Sequence, residues 1–449
     1  MCETALSRQF GTAALLRFAL PNIAMMVFLS LYTIVDGIFI SRYVGTLALS
    51  AVNMSYPLNS LEMALGIMLG TGGSAIIARE LGEGKERRAR GDFTAVVAVS
   101  LVLGILCMAA GLVFLDPLLR LLGTSDAQFQ LCRTYTQVLL CFSPALFLQT
   151  VFQILFVTAG RPGLGLGVTV AGGVANVVLD LLFMGPLRLG VAGAAVATGI
   201  GYCISAVAGT VYFFKNRTGA LWFTPFRLRW RMLLQTCWNG SSEMVSNVAN
   251  AVTTFLFNVL FLAYWGEDGV ASITIVMYFQ FVFSAMYLGF SMGVAPVVSF
   301  KYGAQDREQL QKIFRSCGIF ILLCSGAMYL LSRIVIGPCL SVFTDPGSRV
   351  YAITMEGFPI YAAAFWFMGA NIFASSLFTA LSDGAVSAAI SFARTFLFLV
   401  SMLLILPQWL GAWGIWLAVP AAEALGLVVS AVFILWGRRK YGYAPCRGV

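Results

Sequence analysis

MALGIMLG, residues 63–70, returns as MYLGFSMG at residues 286–293. Each copy runs into a loop of small and charged residues, LGEGKERR after the first and YGAQDREQ after the second. A second pair keeps nearly the same separation: LGVAGAAVAT at 189–198 matches LGAWGIWLAV at 410–419, with Leu, Gly, Gly and Ala in register. The offsets are 223 and 221 residues, so the chain is two copies of one unit. Composition says what the unit is made of. With 59% hydrophobic residues, 10% charged residues and a mean hydropathy of +0.88, the chain lies outside the range of soluble domains and reads as a polytopic membrane protein.

Stretches of about 20 apolar residues, the length that crosses a bilayer, occur twelve times. Six spans return the chain to its starting side, so the copies are parallel repeats about an axis normal to the membrane. The expected architecture is all-α and integral to the membrane: two pseudo-symmetric six-helix bundles with a central cleft. Residues 1–214 form the N-terminal lobe, 215–232 a basic linker and 233–449 the C-terminal lobe. That build suits a transporter rocking between two open states. The opening MCETALSRQFGTAALLRFALPNIAMM shows no small-residue cleavage site, so no removable leader is expected.

Basic residues set the orientation. Placing both termini in the cytoplasm puts 20 of the 28 Lys and Arg on that side, including the loop RELGEGKERRARGD and the linker KNRTGALWFTPFRLRWR. The expected location is therefore the cell's inner (cytoplasmic) membrane. The net charge of +9 is accounted for by juxtamembrane residues facing anionic lipid, with no nucleic acid partner. Ten cysteines scattered without a CxxC pair fit apolar packing rather than a disulfide frame. The chain has no histidine, which removes His-based triads and His-ligated metals and leaves proton chemistry to carboxylates. No cofactor and no enzymatic site is expected.

Six acidic residues fall inside spans: Asp36, Glu62, Asp180, Glu243, Glu356 and Glu423. A charge at the bilayer centre costs roughly 2.5–3.5 kcal/mol or more, so such groups face a cavity, pair, or are protonated. Glu356 is near an outer helix end and can snorkel. Glu243 and Glu423 are each candidates to pair with the intramembrane Arg394, or to form a second coupling site. Glu62 is central but has no evident role.

In GGVANVVLDLLFMG, residues 172–185, Asn176 and Asp180 are four residues apart and share one helical face. Tyr32 lies one turn before Asp36 in LYTIVDGIFI and can donate along that face. An interhelical polar contact is one reading of this set. The other is a protonatable cavity, since burial and a like charge both disfavour a charged carboxyl. At an offset of 221 the repeat places Phe257, Leu397 and Ser401 opposite Asp36, Asn176 and Asp180, and a slip of one residue gives Asn258, Phe398 and Met402; neither register supplies a carboxylate, so the set belongs to one half only.

The sequence resembles the multidrug and toxic compound extrusion (MATE) transporters, prokaryotic branch, over nearly its whole length. The resemblance is carried by LPNIAMMVFLSLYTIVDGIFISRYVGTLALSAV, GIMLGTGGSAIIARELGEG, ANVVLD, GVAGAAVAT, GVAPVVSFKYGAQ and GIWLAVPAAE in that order. It implies a drug/cation antiporter with a coupling pocket at Asp36, Asn176, Asp180 and Thr198. It also implies a hinge at Pro21, where the missing helix hydrogen bond permits a kink. Some members place coupling carboxylates on spans seven and ten; here Glu243 matches the former, but the middle of span ten offers only Asn371. The expected activity is proton-coupled efflux of amphipathic organic cations by alternating access, with sodium as the other candidate ion. Met25, Met26, Met54 and Phe281 join Tyr32 as candidate substrate contacts, since flexible thioethers and aromatic rings adapt to varied shapes. Gln280, Asn371 and Arg394 would line the cleft. Small-molecule drugs and membrane lipids are the expected partners, and the chain is expected to act as a monomer. The alternative function is a lipid-linked saccharide flippase of the same superfamily, for which Arg394 would receive a pyrophosphate.

Overall fold

The computed structural model describes residues 5–122 and 126–443; Arg447 of the basic tail, Cys2 and Cys446 lie outside them. Regular structure among the described residues is helical throughout. The first half comprises α1 (Thr12–Tyr43), α2 (Thr46–Gly82), α3 (Glu86–Val113), the short α4 (Leu115–Leu121), α5 (Asp126–Cys141), α6 (Ser143–Thr158), α7 (Pro162–Met184) and α8 (Gly190–Lys215). The second half begins with α9 (Trp230–Trp265), α10 (Glu267–Gly303) and α11 (Arg307–Phe343). It continues through α12 (Arg349–Tyr361), α13 (Phe365–Ala380), α14 (Gly384–Phe392), α15 (Leu399–Leu410) and α16 (Ala412–Tyr441). A 3₁₀ turn joins α12 to α13, and a π-helical turn at 393–398 joins α14 to α15, making one span of each pair.

Among the described residues, eleven helical spans are long and apolar enough to cross a bilayer, and the pair α5 and α6, bent by 58°, makes a twelfth when taken as one span. The break leaves no mark in hydropathy, but its cause is local. Pro144 stands at the start of α6, where its ring and missing N–H prevent a helix from running straight through Phe142. α3 crosses the joint at Gly104, where a Cβ would lie 2.7 Å from the Cα of Pro144.

The repeat is visible in helix lengths and in turns. α2 and α10 are both 37 residues long. Four hairpin turns at one end of the bundle use the same closure, with a left-handed residue at Gly84, Gly160, Gln305 and Ser382. In the first, the Gly84 N–H donates to the Leu81 carbonyl and the Lys85 N–H to that of Glu80; Gln305 and Asp306 repeat this with Tyr302 and Lys301. Such closures satisfy the last carbonyls of a helix. The first half fills the strained position with glycine, and the second half does not.

At this same end the halves touch backbone to backbone. A Cβ on Gly72 of α2 would lie 2.0 Å from the Thr236 carbonyl of α9, and one on Gly240 would lie 2.0 Å from that of Met68. Small residues permit such close helix crossings in a membrane, where packing drives association. Nearby, Asn22 Nδ2 donates to the Gly289 carbonyl (2.7 Å), and the Phe10 N–H to Gln309 Oε1 (3.1 Å).

Two clamps reinforce the junction. Arg229, which precedes α9, pairs with Glu80 of α2 (3.2 Å) and with Asp92 of α3, while Arg88 meets the same Glu80 at 2.7 Å. In the second half the residue equivalent to Glu80 is Lys301, which is buried and donates to the Ser7 carbonyl (3.1 Å) just before α1. The linker itself is held down by Arg90, whose guanidinium lies 3.5 Å above the Trp222 ring.

The cleft opens toward the other end. Eighteen residues are five turns of helix, so Ala271 shares an azimuth with Gly289, and Asn258 shares one with Gly240. The Gly289 and Gly240 ends are closed against the first half, whereas Phe255, Val259, Tyr278 and Phe281 on the outer parts of these helices are exposed.

Candidate functional site

The polar residues of the first half converge between α1, α6, α7 and α8. α7 is apolar along most of its length but turns Thr169, Asn176 and Asp180 inward, and all three are buried. Asn176 Nδ2 donates to Thr198 Oγ1 of α8 (3.2 Å). Asp36 reaches the site from α1, close enough to Asp180 for direct interaction of the two carboxyl groups. Asp36, Asn176, Asp180 and Thr198 are therefore brought together.

Several oxygens of the site are left unpaired. Asp36 Oδ1, both carboxyl oxygens of Asp180 and Asn176 Oδ1 are buried without a hydrogen-bond partner among the described residues. An unpaired buried carboxylate costs several kcal/mol, so the pocket calls for a proton or a cation. Beside it lies a cavity of about 20 Å³, enough for one water. Tyr32, Gln149, Gln153, Tyr202 and Ser205 line it together with Gly172, and Gln153 Nε2 donates to Thr169 Oγ1 across it (3.1 Å). The sequence reading missed this extension toward the closed end of the bundle. Its signal was present: Gln149 and Gln153 are an i, i+4 polar pair on an apolar helix, as Asn176 and Asp180 are.

Pro21 lies within an unbroken α1, one residue before the contact of Asn22 with α10. Met25 is buried, Met26 is partly buried, and Met54 packs against the cluster of Ala51, Leu115 and Leu119. Glu62, which had no assigned role, accepts a hydrogen bond from Ser143 Oγ (2.7 Å) and so fastens α2 to the α5–α6 joint.

The second half gathers a different cluster. Arg394 Nη1 donates to Glu423 Oε1 (3.2 Å), and Asn371 Nδ2 donates to Glu423 Oε2 (2.7 Å) and to the Glu423 carbonyl (2.8 Å). Ser430 Oγ donates to Asn371 Oδ1 (2.9 Å). Arg394 thus takes Glu423 as its ion-pair partner, while Glu243 faces the same guanidinium at longer range. Asn371 does not line the cleft as expected; it is fully buried, because both ends of its amide are engaged inside the bundle. Arg394 is mostly buried and already neutralised, which leaves little free charge for a pyrophosphate. Gln280 accepts from the Tyr361 hydroxyl, Phe281 is exposed on α10, and Glu356 is exposed in the first turns of its span.

Two parallel six-span repeats meeting at one end of a cleft, with unpaired carboxylates in one wall, are the build of a membrane transporter. The chain belongs to the MatE family, whose profile matches residues 21–182 and again residues 244–404. It is similar to the multidrug export protein MepA of Staphylococcus aureus, with 22% identity over 362 residues that cover 79% of this chain and 80% of that one. Its fold matches a MATE transporter crystallised with MaL6, at a TM-score of 0.91, 21% identity and 98% and 99% coverage of the two chains. It also matches an outward-facing multidrug resistance MATE transporter of the MOP superfamily, at a TM-score of 0.90, 23% identity and 97% coverage of each.

Proposed function

We propose that this chain is a proton-coupled multidrug efflux antiporter that exports amphipathic organic cations by alternating access. The observation that carries the reading is the Asp36 and Asp180 pair, three of whose four carboxyl oxygens are buried with no donor among the described residues. Either a proton or a cationic group on a substrate relieves that cost, and each makes the other unnecessary. Competition of this kind is what couples the inward flow of one to the outward flow of the other. Asn176 serves both states, because an amide offers a donor to the charged carboxylate and an acceptor to the neutral acid. Thr198 fixes which way that amide points. Export from the cytoplasm follows if both termini are cytoplasmic, in the inner membrane of the cell. Both walls of the cleft come from one chain, which makes a monomer sufficient and requires no cofactor beyond the coupling ion.

Substrate affinity measured against pH in detergent tests the reading, using the wild type, Asp36→Asn and Asp180→Asn, with sodium and potassium compared. Affinity for tetraphenylphosphonium should fall as pH falls in the wild type and lose that dependence in Asp180→Asn. An affinity indifferent to pH but reduced by sodium would replace the proton with sodium, bound by the same oxygens. For sidedness, a cysteine at Ser348 on a cysteine-free background should react with an impermeant maleimide from outside, and one at Gly84 should not. The reverse result would invert the direction of transport.

A further inference from the structure

A second opening lies away from the carboxylate pocket. A groove of about 750 Å³ runs between the outer ends of α9, α10 and α11, within the size range of small-molecule sites. Its walls are mostly apolar, with Phe255 and Leu262 from α9 and Phe343 from α11. Its polar groups are Asn258, Thr274 and Glu267, and it contains no Lys or Arg.

Helix geometry places this groove in the wall of the cleft. Asn258 is five turns beyond Gly240, and Ala271 and Ile275 are five turns before Gly289 and Gly293. Those glycines are the points at which α9 and α10 meet the first half, so the groove lies on the same faces farther out, where the halves have parted. Tyr278 and Phe281 continue the exposed α10 surface below it. Glu267 is at the mouth, exposed and without an ion-pair partner among the described residues.

We propose that this groove is an outer docking site for the exported cation: the second-half wall receives an amphipathic organic cation as it leaves the cleft, with its charge near Glu267 and its apolar body against Phe255, Leu262 and Phe343. Charge complementarity selects the occupant. An apolar channel with a single acidic group and no basic one favours a monovalent cation with a large apolar surface over an anion or a neutral molecule of the same shape. Asn258 and Thr274 add hydrogen-bonding positions along the wall. The site is separate from Asp36 and Asp180, so release from the coupling pocket and departure from the protein become two steps. This inference rests on the proposed function for the identity of the cargo, but its geometry does not depend on how transport is coupled.

The test uses full-length protein in detergent with an environment-sensitive fluorophore on a cysteine replacing Val259, on a cysteine-free background. Tetraphenylphosphonium should change the emission saturably, and neutral tetraphenylmethane should not. Glu267→Gln should weaken the apparent affinity about fivefold, as expected for a partly exposed charge contact, and Glu267→Asp should restore most of it. Leu262→Ala should also weaken binding, through lost contact area. Asp180→Asn should leave this signal in place while it removes the pH dependence of substrate affinity. If the response does not saturate, or is the same for the neutral probe and for Glu267→Gln, the groove is not a cation site. If the groove signal behaves as expected but Asp180→Asn retains normal pH dependence, the coupling reading fails and the docking site stands.

Discussion

In the first half, Gln149, Gly172 and Tyr202 surround a cavity; in the second half the equivalent positions are Asn371, Arg394 and Glu423, and the space is filled. The equivalence follows from two markers: α7 begins at Pro162 and α14 at Gly384, 222 residues on, while the left-handed Gly190 at the head of α8 answers Gly411 before α16, 221 residues on. It is also marked by a shared hydrogen bond: Gln153 to Thr169 in one half is Ser375 to Ser391 (2.8 Å) in the other. A glycine leaves room where an arginine fills it, so one scaffold yields a polar void beside unpaired carboxylates and, across the pseudo-two-fold, a closed ion pair. The repeat thus keeps backbone positions while side-chain volume and charge give the two copies different interiors.

The comparison breaks most severely at Asp180. Asp180→Asn should reduce proton-driven efflux to the background of cells without the transporter while the protein still inserts and binds substrate. Glu423→Gln should keep measurable efflux. A dead Glu423→Gln and a near-normal Asp180→Asn would move the coupling site to the second half.

Next in size is Gly172→Leu. A Cβ there would already lie 2.9 Å from the Gly201 carbonyl, so a larger side chain fills the cavity and pushes α7 from α8. Overpacking of this kind costs about 1–3 kcal/mol, and efflux should fall at least about tenfold by the accompanying displacement of Asn176 from Thr198. Unchanged transport would show that the cavity has no part in the cycle.

A smaller, purely structural effect is expected at the ion pair. Removing one partner of a buried pair strands the other, at a cost of about 3–5 kcal/mol, reduced here because Arg394 and Glu423 retain 13% and 10% side-chain exposure. Arg394→Met should therefore lower the unfolding temperature in detergent, and Arg394→Met combined with Glu423→Leu should recover most of the loss. Failure of the double variant to recover would show that the pair does more than fill space.

The smallest effect separates the loops before α7 and α14. Asp383 caps α14 through the Val386 N–H (3.3 Å), whereas Arg161, its counterpart, offers α7 no side-chain cap. Burial opposes the charge on Asp383, but bonds from Tyr441, Lys440 and Val386 outweigh it and hold the carboxyl below the usual carboxylate range. Its contribution is therefore complete above the unfolded value of about 3.9 and lost as pH falls through the lower folded one. Asp383→Asn keeps the cap but weakens the contacts with Lys440 and Tyr441, so it should cost up to about 1 kcal/mol at neutral pH, and the gap in unfolding temperature should close toward about pH 3. A gap independent of pH would assign the effect to shape rather than charge.

The legible parts of the fold were those written in hydropathy and repetition. Twelve apolar stretches and two repeated motifs suffice for the spans and their parallel halves. Asp36, Asn176 and Asp180 were legible because polar groups on an apolar helix face stand out against their neighbours, and Thr198 came from family resemblance. The cavity was not legible, since it is defined by what Gly172 and Gly201 lack. Nor was the choice of Glu423 over Glu243 as the partner of Arg394: both are within spans, and only the packing of α16 against the π-helical turn decides between them.

The clamps at the closed end are complementary rather than alike. At equivalent positions the first half carries Glu80, which grips the arginine before α9, and the second carries Lys301, which grips a carbonyl before α1. Were the first half duplicated in place of the second, a glutamate would face that carbonyl and repel it; were the second duplicated, a lysine would confront Arg229. The two halves therefore fit each other at this end better than either would fit a copy of itself.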